Sequence, residues 1–343
     1  MKWSRAQTRQ TRSGRRTNLA LLALIPVAIV TGLVANTAGT RWAIHPSVFH
    51  GITALAILIL SPWKQAIVRR GLRKWTARTW TSVLLLLFVF TTLTTGIMHA
   101  VGYTGRIGPL TVMQVHIGGA VAALTLMWFH YRSHPVRINK TIDLSRRGFL
   151  RTATFAAVSG IAWISLEGTL DALGASGGQR RFTGSHERGS FDPRHLPVTS
   201  WLDDRVQHIA GDEWSIDVNG RSMGLLEIEP LHHESFDAVL DCTSAWYSQQ
   251  TWTGVRLDRL FDAGSHRSIE VRSQTGYARR FPARDLHKLW LVTHVGGEPL
   301  SPGHGYPARI VAPDRRGFWW VKWVTSIQSS DLPWWIQSPF PLT

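Results

Sequence analysis

Ser82-Val83-Leu84-Leu85-Leu86-Leu87-Phe88-Val89-Phe90 is the centre of an apolar run from about Thr79 to Val101 that holds no Asp, Glu, Lys or Arg. Crossing the hydrocarbon core of a bilayer takes about 20 such residues in a helix. Similar runs extend from Thr17 to Ala38 and from Leu110 to Tyr131. A weaker one, with Ser, Thr and Glu167, extends from Phe149 to Leu173, and Pro46 to Pro62 is a short one. Five membrane helices are expected, the second borrowing flanking residues or tilting little.

The 343 residues carry a formal charge of +16. Much of it flanks the apolar runs: Arg12, Arg15 and Arg16; Lys64, Arg69, Arg70, Arg73, Lys74 and Arg78; Arg132, Arg137, Lys140, Arg146, Arg147 and Arg151. This placement is that of cytoplasmic loops rather than of a nucleic-acid surface, so no nucleic-acid partner is expected. The N-terminus and the loops 63–78 and 131–148 are then cytoplasmic, in the plasma membrane of a prokaryote, with lipid around the bundle. Trp3, Trp42, Trp63, Trp75, Trp80 and Trp128 fall where an interfacial belt would lie.

Before the fifth run stands Leu144-Ser145-Arg146-Arg147-Gly148-Phe149-Leu150-Arg151, which resembles a twin-arginine export signal. The resemblance implies a twin-arginine translocase as partner and a segment after about residue 173 that crosses folded, to the periplasmic or extracellular side. An ordinary basic membrane flank is the competing reading.

Ionisable side chains inside a membrane mark functional sites. His50 and His99 lie near the outer ends of the second and third runs, and His116 and His130 on the fourth. The last two are fourteen residues apart, about 21 Å along a helix and nearly on one face. This spacing resembles that of membrane b-type cytochromes, which implies haem b and exchange with the quinone pool or another redox partner. His50 with His116 is the preferred ligand pair for haem iron, with His99 as alternative ligand or supporting residue. His130 lacks a histidine partner at the inner level, where Lys64 stands fourteen residues beyond His50, and is read as interfacial or quinone-contacting. His45 is read as a loop residue. Interfacial histidines without a cofactor are the competing reading.

Beyond residue 174 the composition changes. Residues 176–200, rich in Gly, Ser, Arg and Pro, read as a linker. Trp214 to Val218 alternates and ends in Asn219-Gly220, a strand and its turn. Short β-like runs follow at 236–240, 269–273, 289–293, 308–312 and 319–327, with a helical stretch near 257–261. The division expected is 1–140 a cytochrome b-like four-helix bundle, 141–175 a twin-arginine-type signal-anchor helix, 176–200 a linker, and 201–343 an α+β domain.

That domain contains the chain's only cysteine, in Leu240-Asp241-Cys242-Thr243-Ser244-Ala245-Trp246, followed by Trp252-Thr253-Gly254-Val255-Arg256-Leu257. Downstream come Ser273-Gln274-Thr275-Gly276-Tyr277, Gly303-His304-Gly305-Tyr306-Pro307-Ala308-Arg309 and Gly317-Phe318-Trp319-Trp320-Val321-Lys322-Trp323. From about Trp214 to Ile327 the set resembles the sulfite oxidase family, which includes the periplasmic methionine-sulfoxide reductase catalytic subunit. The resemblance implies a molybdenum–molybdopterin cofactor, Cys242 ending a strand as the metal's thiolate ligand, and Trp252 to Leu257 opening the next helix. Thr243, Ser244, Trp246, His304, Arg309 and Lys322 are then cofactor-binding residues, and Tyr277 a catalytic pocket residue beside Cys242. Thiolate suits a soft redox metal, and Arg and Lys suit the phosphate of the pterin. Ala245 stands where the family often has Gly, and the domain is short, without an evident dimerisation module. Arg272, Arg279, Arg280 and Arg284 are candidates for an anionic-substrate entrance or plain surface charge.

The expected function is oxygen-atom transfer on a small oxo-containing substrate, with reduction of an S- or N-oxide and oxidation of a sulfite-like compound both open. An inactive, membrane-anchored cofactor-binding or sensor protein is the alternative. Replacing Arg146 and Arg147 together by Lys is expected to hold the C-terminal domain inside the cell. External protease should then cut near residues 174–200 in intact spheroplasts of the wild type only; equal cutting in both would reduce the pair to a membrane flank.

Overall fold

The computed structural model describes residues 12–72, 77–133, 145–200, 204–231 and 234–338. Trp3, Trp75, Arg73, Lys74, Arg137 and Lys140 lie outside the described residues. The chain forms two compact units, Met1–Ala35 with Trp42–Gly184, and Asn36–Arg41 with Ser185–Thr343.

The first unit is built from α1 (Arg12–Thr37), α2 (Ile44–Leu72), α3 (Ala77–Ala100), α4 (Val112–Ser133) and α5 (Arg146–Ala172). All five are long and apolar enough to cross a membrane. Their outward faces are apolar, as with Leu87 and Phe90 on α3 and Val121 on α4, while Trp42, Trp63, Trp80 and Trp128 are exposed near the run ends. The second helix is not short. It continues through Pro62 to Leu72, because the residues after Pro62 are good helix formers and Lys64 Nζ bonds Asn18 Oδ1 of α1 at 3.0 Å. His45 belongs to its first turn and not to a loop.

A two-pair hairpin, β1 (Arg106–Ile107) and β2 (Leu110–Thr111), precedes α4. Thr111 Oγ1 accepts from Gln114 N at 3.2 Å and Gln114 Oε1 from Thr111 N at 2.8 Å, a reciprocal cap that starts the helix. Ser145 caps α5, its Oγ accepting from Gly148 N at 3.2 Å, so Arg146 and Arg147 occupy the first turn. Cations there oppose the helix dipole, so helix stability does not account for the pair.

The second unit holds two sheets. One contains β3 (His186–Glu187), β6 (Glu234–Cys242), β7 (Trp246–Arg256), β10 (Trp290–Val295), β11 (Glu298–Pro299) and β12 (Arg309–Val311), in which β7 pairs with β6, β10 and β3, and β10 also with β11 and β12. The other has the order β5 (Arg221–Gly224), β4 (Ser215–Val218), β13 (Val324–Ser330), β8 (Ser268–Ser273), β9 (Ala278–Pro282). The β4–β5 hairpin turns at Asn219-Gly220, both at positive φ, as the dipeptide predicts. One core draws on both sheets: Leu240, Trp252, Leu291 and Ile310 from the first, Ile216, Ile269, Phe281 and Ile327 from the second.

Three expectations change. Trp252 to Arg256 finishes β7 instead of opening a helix, and only a single 3-10 turn, Leu257–Arg259, follows. Trp252 is fully buried on that strand, and Gly254 is pressed against β10, so strand pairing overrides the helical reading. Within 319–327, Gly317–Trp319 is a 3-10 turn and the strand begins at Val324. Residues 185–200 are part of the domain: His186 N, Arg188 N and Phe191 N donate to the carbonyls of Ala245, Tyr247 and Gln249 at 3.0, 2.8 and 2.7 Å, and Leu196 is buried. The Trp-rich tail also lies on the domain, with Trp334 beside Trp319 and Gln337 bonded to both backbone groups of Arg280.

A Cβ on Gly254 would stand 2.2 Å from Leu291 O, so β7 and β10 pair closely only around a glycine. Gly254→Val should destabilise the domain by about 2–3 kcal/mol, read as a lowered thermal midpoint; an unchanged midpoint would refute this contact.

Candidate functional site

Cys242 is the last residue of β6 and pairs with Trp246 across a three-residue turn, Thr243-Ser244-Ala245. Ala245 takes positive φ, 74°, the position at which Gly relieves strain. The thiol is buried and free, and Ser244 N–H points at its Sγ at 3.4 Å. Trp246 Nε1 donates to Thr199 Oγ1 at 3.2 Å.

Arg309, at the start of β12, is 1% exposed. Its Nη1 and Nη2 donate to the carbonyls of His304 and Trp320 at 3.1 and 3.3 Å, and its Nε has no partner. The guanidinium lies between Trp252 and Trp320, 5.3 and 5.6 Å from their ring centres. Burial pushes its pKa down to about 9, opposed by the nearby Cys242. Lys322 Nζ donates to Thr199 O at 3.0 Å and Gly303 O at 2.6 Å, and its pKa is pushed down to about 7 by burial and then by Arg309. No carboxylate forms an ion pair with either among the described residues. A buried guanidinium whose Nε lacks a hydrogen-bond partner among the described residues, a second cation and a thiol form a cluster suited to an anionic ligand with a soft metal. Molybdopterin fits these donors.

His304 lies in the same loop as Gly303 and is buried. Its Nδ1 pairs with Ser301 Oγ at 2.8 Å and its Nε2 donates to Leu196 O at 3.1 Å. Burial, Arg309 and Lys322 hold it neutral, at a pKa of about 4. Both ring nitrogens are thus engaged, one within the loop and one on Leu196. Gly305, at φ 106°, lets that loop pass Lys322 and Arg309, whose Cβ atoms would lie 3.1 and 3.2 Å from an added side chain. The Tyr306–Pro307 bond in this loop is cis. A cleft of about 420 Å³ opens against the same loop, lined by His208, Ile209, Ala210, Leu300, Pro302 and Tyr306.

Tyr277 is buried and donates its hydroxyl to Phe318 O. Burial raises its pKa, with Cys242 and Asp204 adding to the effect and Arg279 opposing it. Arg279 is 2% exposed, stacks 4.2 Å from the centre of Trp319 and donates to Ser338 O at 3.0 Å. Arg272 and Arg280 both pair with Glu270.

The sequence reading missed Asp241, Arg316, Ser185 and Asp204. Arg316 pairs with Asp241 and donates to Cys242 O at 2.9 Å, and Ser185 Oγ donates to Asp241 at 2.7 Å. The position of Asp241, directly before the cysteine, was the available signal.

In the helical unit, His50 Nδ1–H donates to Ala28 O at 2.8 Å and His116 Nδ1–H to Thr92 O at 2.9 Å. Their ring centres are 5.9 Å apart and the planes nearly perpendicular, at 85°. His99 is turned elsewhere, its Nε2 on Gly184 O at 2.8 Å. His130 Nδ1 meets Ser82 Oγ at 3.1 Å. Of the four, only His50 and His116 face each other among the described contacts.

Lys322 gives a pH dependence. Its ordinary pKa of 10.5 falls to about 7, so between these values the unfolded chain holds a proton that the folded chain lacks. Stability of the cofactor-free protein therefore rises with pH across that window. The thermal midpoint should climb from about pH 7 to pH 9, and Lys322→Met should flatten the climb; equal slopes would show that Lys322 is not the titrating group.

No curated protein matches the chain. The sulfane dehydrogenase SoxCD from Paracoccus pantotrophus aligns over 37% of this chain and 40% of its own, at 19% identity and a TM-score of 0.35. The chain thus spans less than half the length of that protein. Residues 204–335, the span that contains Cys242, Tyr277, His304, Arg309 and Lys322, match the family of oxidoreductase molybdopterin-binding domains.

Proposed function

We propose that the chain is a membrane-anchored molybdenum-dependent oxidoreductase whose C-terminal domain transfers an oxygen atom to or from a small oxo-containing substrate outside the cytoplasm. The observation that carries the reading is Arg309, a buried cation whose hydrogen-bond acceptors among the described residues are carbonyls, in the domain that buries the only cysteine. Cys242 would hold the metal, and Arg309 and Lys322 the pterin phosphate. The cofactor, when bound, supplies a two-electron redox cycle. The protein's share is to hold Cys242 at the strand end, keep His304 neutral and exclude water with Trp246, Trp320 and Trp323. Tyr277 keeps its proton and presents a phenol oxygen that can accept from a substrate.

A second proposal concerns electrons. His50 and His116, with ring centres 5.9 Å apart, would be the residues that hold a haem iron. Each Nδ1–H on a carbonyl leaves Nε2 as the ligating atom. A haem b there would pass electrons between a membrane quinone or redox partner and the molybdenum domain. The twin arginines in the first turn of α5 support export by the twin-arginine translocase.

Metal and pterin analysis tests the first proposal, and optical spectra of the same preparation the second. The wild type should contain molybdenum and pterin; Cys242→Ser should lose activity and most of the metal, and Arg309→Ala the pterin. Full activity in Cys242→Ser would refute the metal assignment, and a metal-loaded wild type that turns over no oxo-compound would favour the sensor reading. His50→Ala and His116→Ala should each abolish a b-type spectrum that His99→Ala and His130→Ala retain.

A further inference from the structure

The contacts made by α1 with α2 recur between α3 and α4. Thr31 Oγ1 donates to Val27 O at 2.7 Å and Ala28 O at 3.1 Å. Thr95 Oγ1 donates to Thr91 O at 2.7 Å and Thr92 O at 3.1 Å. Each threonine precedes a glycine, Gly32 or Gly96. The carbonyls of Ala28 and Thr92 are the ones that receive His50 Nδ1–H and His116 Nδ1–H. Towards the other end, Lys64 Nζ bonds Asn18 Oδ1 and His130 Nδ1 meets Ser82 Oγ.

The intervals are constant. Asn18, Ala28, Thr31 and Gly32 of α1 have their counterparts 64 positions on, in Ser82, Thr92, Thr95 and Gly96 of α3. His50 and Lys64 of α2 have theirs 66 positions on, in His116 and His130 of α4, and Ala54, Ala56 and Leu58 align at the same step with Ala120, Ala122 and Leu124. Self-similarity at a fixed period marks a repeated structural unit, and membrane proteins often place a site where two repeats meet.

We propose that α1–α2 and α3–α4 are two copies of one helical hairpin, and that Gly32 and Gly96 are its positioning residues, each reserving the space in which a haem-ligating imidazole lies. A Cβ on Gly32 would stand 2.9 Å from both Cε1 and Nδ1 of His50; one on Gly96 would stand 3.1 Å from Cε1 and 3.3 Å from Nδ1 of His116. A methyl group at either position displaces the ring edge that carries the Nδ1–H···O=C bond. The helix itself tolerates the change, since Ala is a better helix former than Gly. The backbone stays and the ligand turns. The inference rests on the haem reading and adds the residues that orient both ligands.

The test uses the full chain purified in detergent, with Gly32→Ala, Gly96→Ala, and Gly118→Ala as control, because a Cβ at Gly118 meets nothing within 4 Å. Haem per chain, the low-spin electron paramagnetic resonance signal, the midpoint potential and helix content are measured. Both Gly32→Ala and Gly96→Ala should keep wild-type helix content, shift the low-spin signal and the potential, and lower haem affinity about ten-fold, the usual size for a residue that orients a ligand. Gly118→Ala should match the wild type. Wild-type spectra and occupancy in both variants, with haem still lost in His50→Ala, would overturn the positioning role and leave the haem reading standing. An effect in one variant alone would overturn the equivalence of the two copies, and a wild type without haem would overturn both.

Discussion

A buried arginine holds the end of the cysteine strand in place. Arg316 is 2% exposed; it pairs with Asp241, reaches Ser185 Oγ at 3.3 Å and donates to Cys242 O at 2.9 Å. Three segments distant in sequence meet on one guanidinium. Taking both charges out of water offsets much of their attraction, so the pair is weak evidence for net stability. Its effect is on uniqueness: with either partner removed, the other charge is stranded at a cost of about 3–5 kcal/mol. The segment that carries Arg316 is therefore fixed against β6, and the adjacent Gly317 lies so close that a Cβ there would be 3.3 Å from Cys242 Cα. The position of the thiol follows from this contact.

The domain buries two sorts of cation, and the difference separates scaffold from site. Arg316 has its carboxylate. Arg315 has Asp285, at 2.7 Å. Arg309 and Lys322 have carbonyl dipoles, and both titrate lower than usual because burial penalises their charged forms. Partial charges compensate a full charge only in part. An anion brought to these two groups would relieve the penalty, and the closed hydrogen bonds of His304 show that the surrounding loop is already arranged. Binding of the anionic cofactor would thus draw on an electrostatic deficit created by folding, a form of preorganisation.

How far the sequence led differs between the two units. Apolar length alone located the helices, since hydrocarbon leaves a spanning segment few conformations. The second helix runs on past Pro62, flanking residues supplying the length that its short apolar run lacks. In the C-terminal unit, the resemblance around Cys242, Arg309 and Lys322 singled out residues that carry buried polar groups in the structure. It misplaced Trp252 to Arg256, because pairing with β10 decided their conformation, and no local signal encodes a partner strand. The hydrogen bonds of His304 were equally hidden, since Leu196 lies more than a hundred residues away. The linker reading failed at 185–200 for the same reason: a Gly- and Pro-rich segment has weak local preferences and takes its structure from the edge of β7. The 64- and 66-residue intervals in the helical unit were legible throughout, but only once the contacts showed which residues to compare.

In hydrocarbon an unpaired N–H is costly, and the bundle meets this constraint for two imidazoles with helix carbonyls. His50 and His116 both give Nδ1–H to a helix carbonyl. The two rings lie 5.9 Å apart, centre to centre, with their planes nearly perpendicular. A larger residue beside either imidazole would crowd the ring. Instead, glycines stand at Gly32 and Gly96, where a side chain would push the imidazoles aside. Each imidazole N–H is thus satisfied by a helix carbonyl, and a glycine leaves room for each ring.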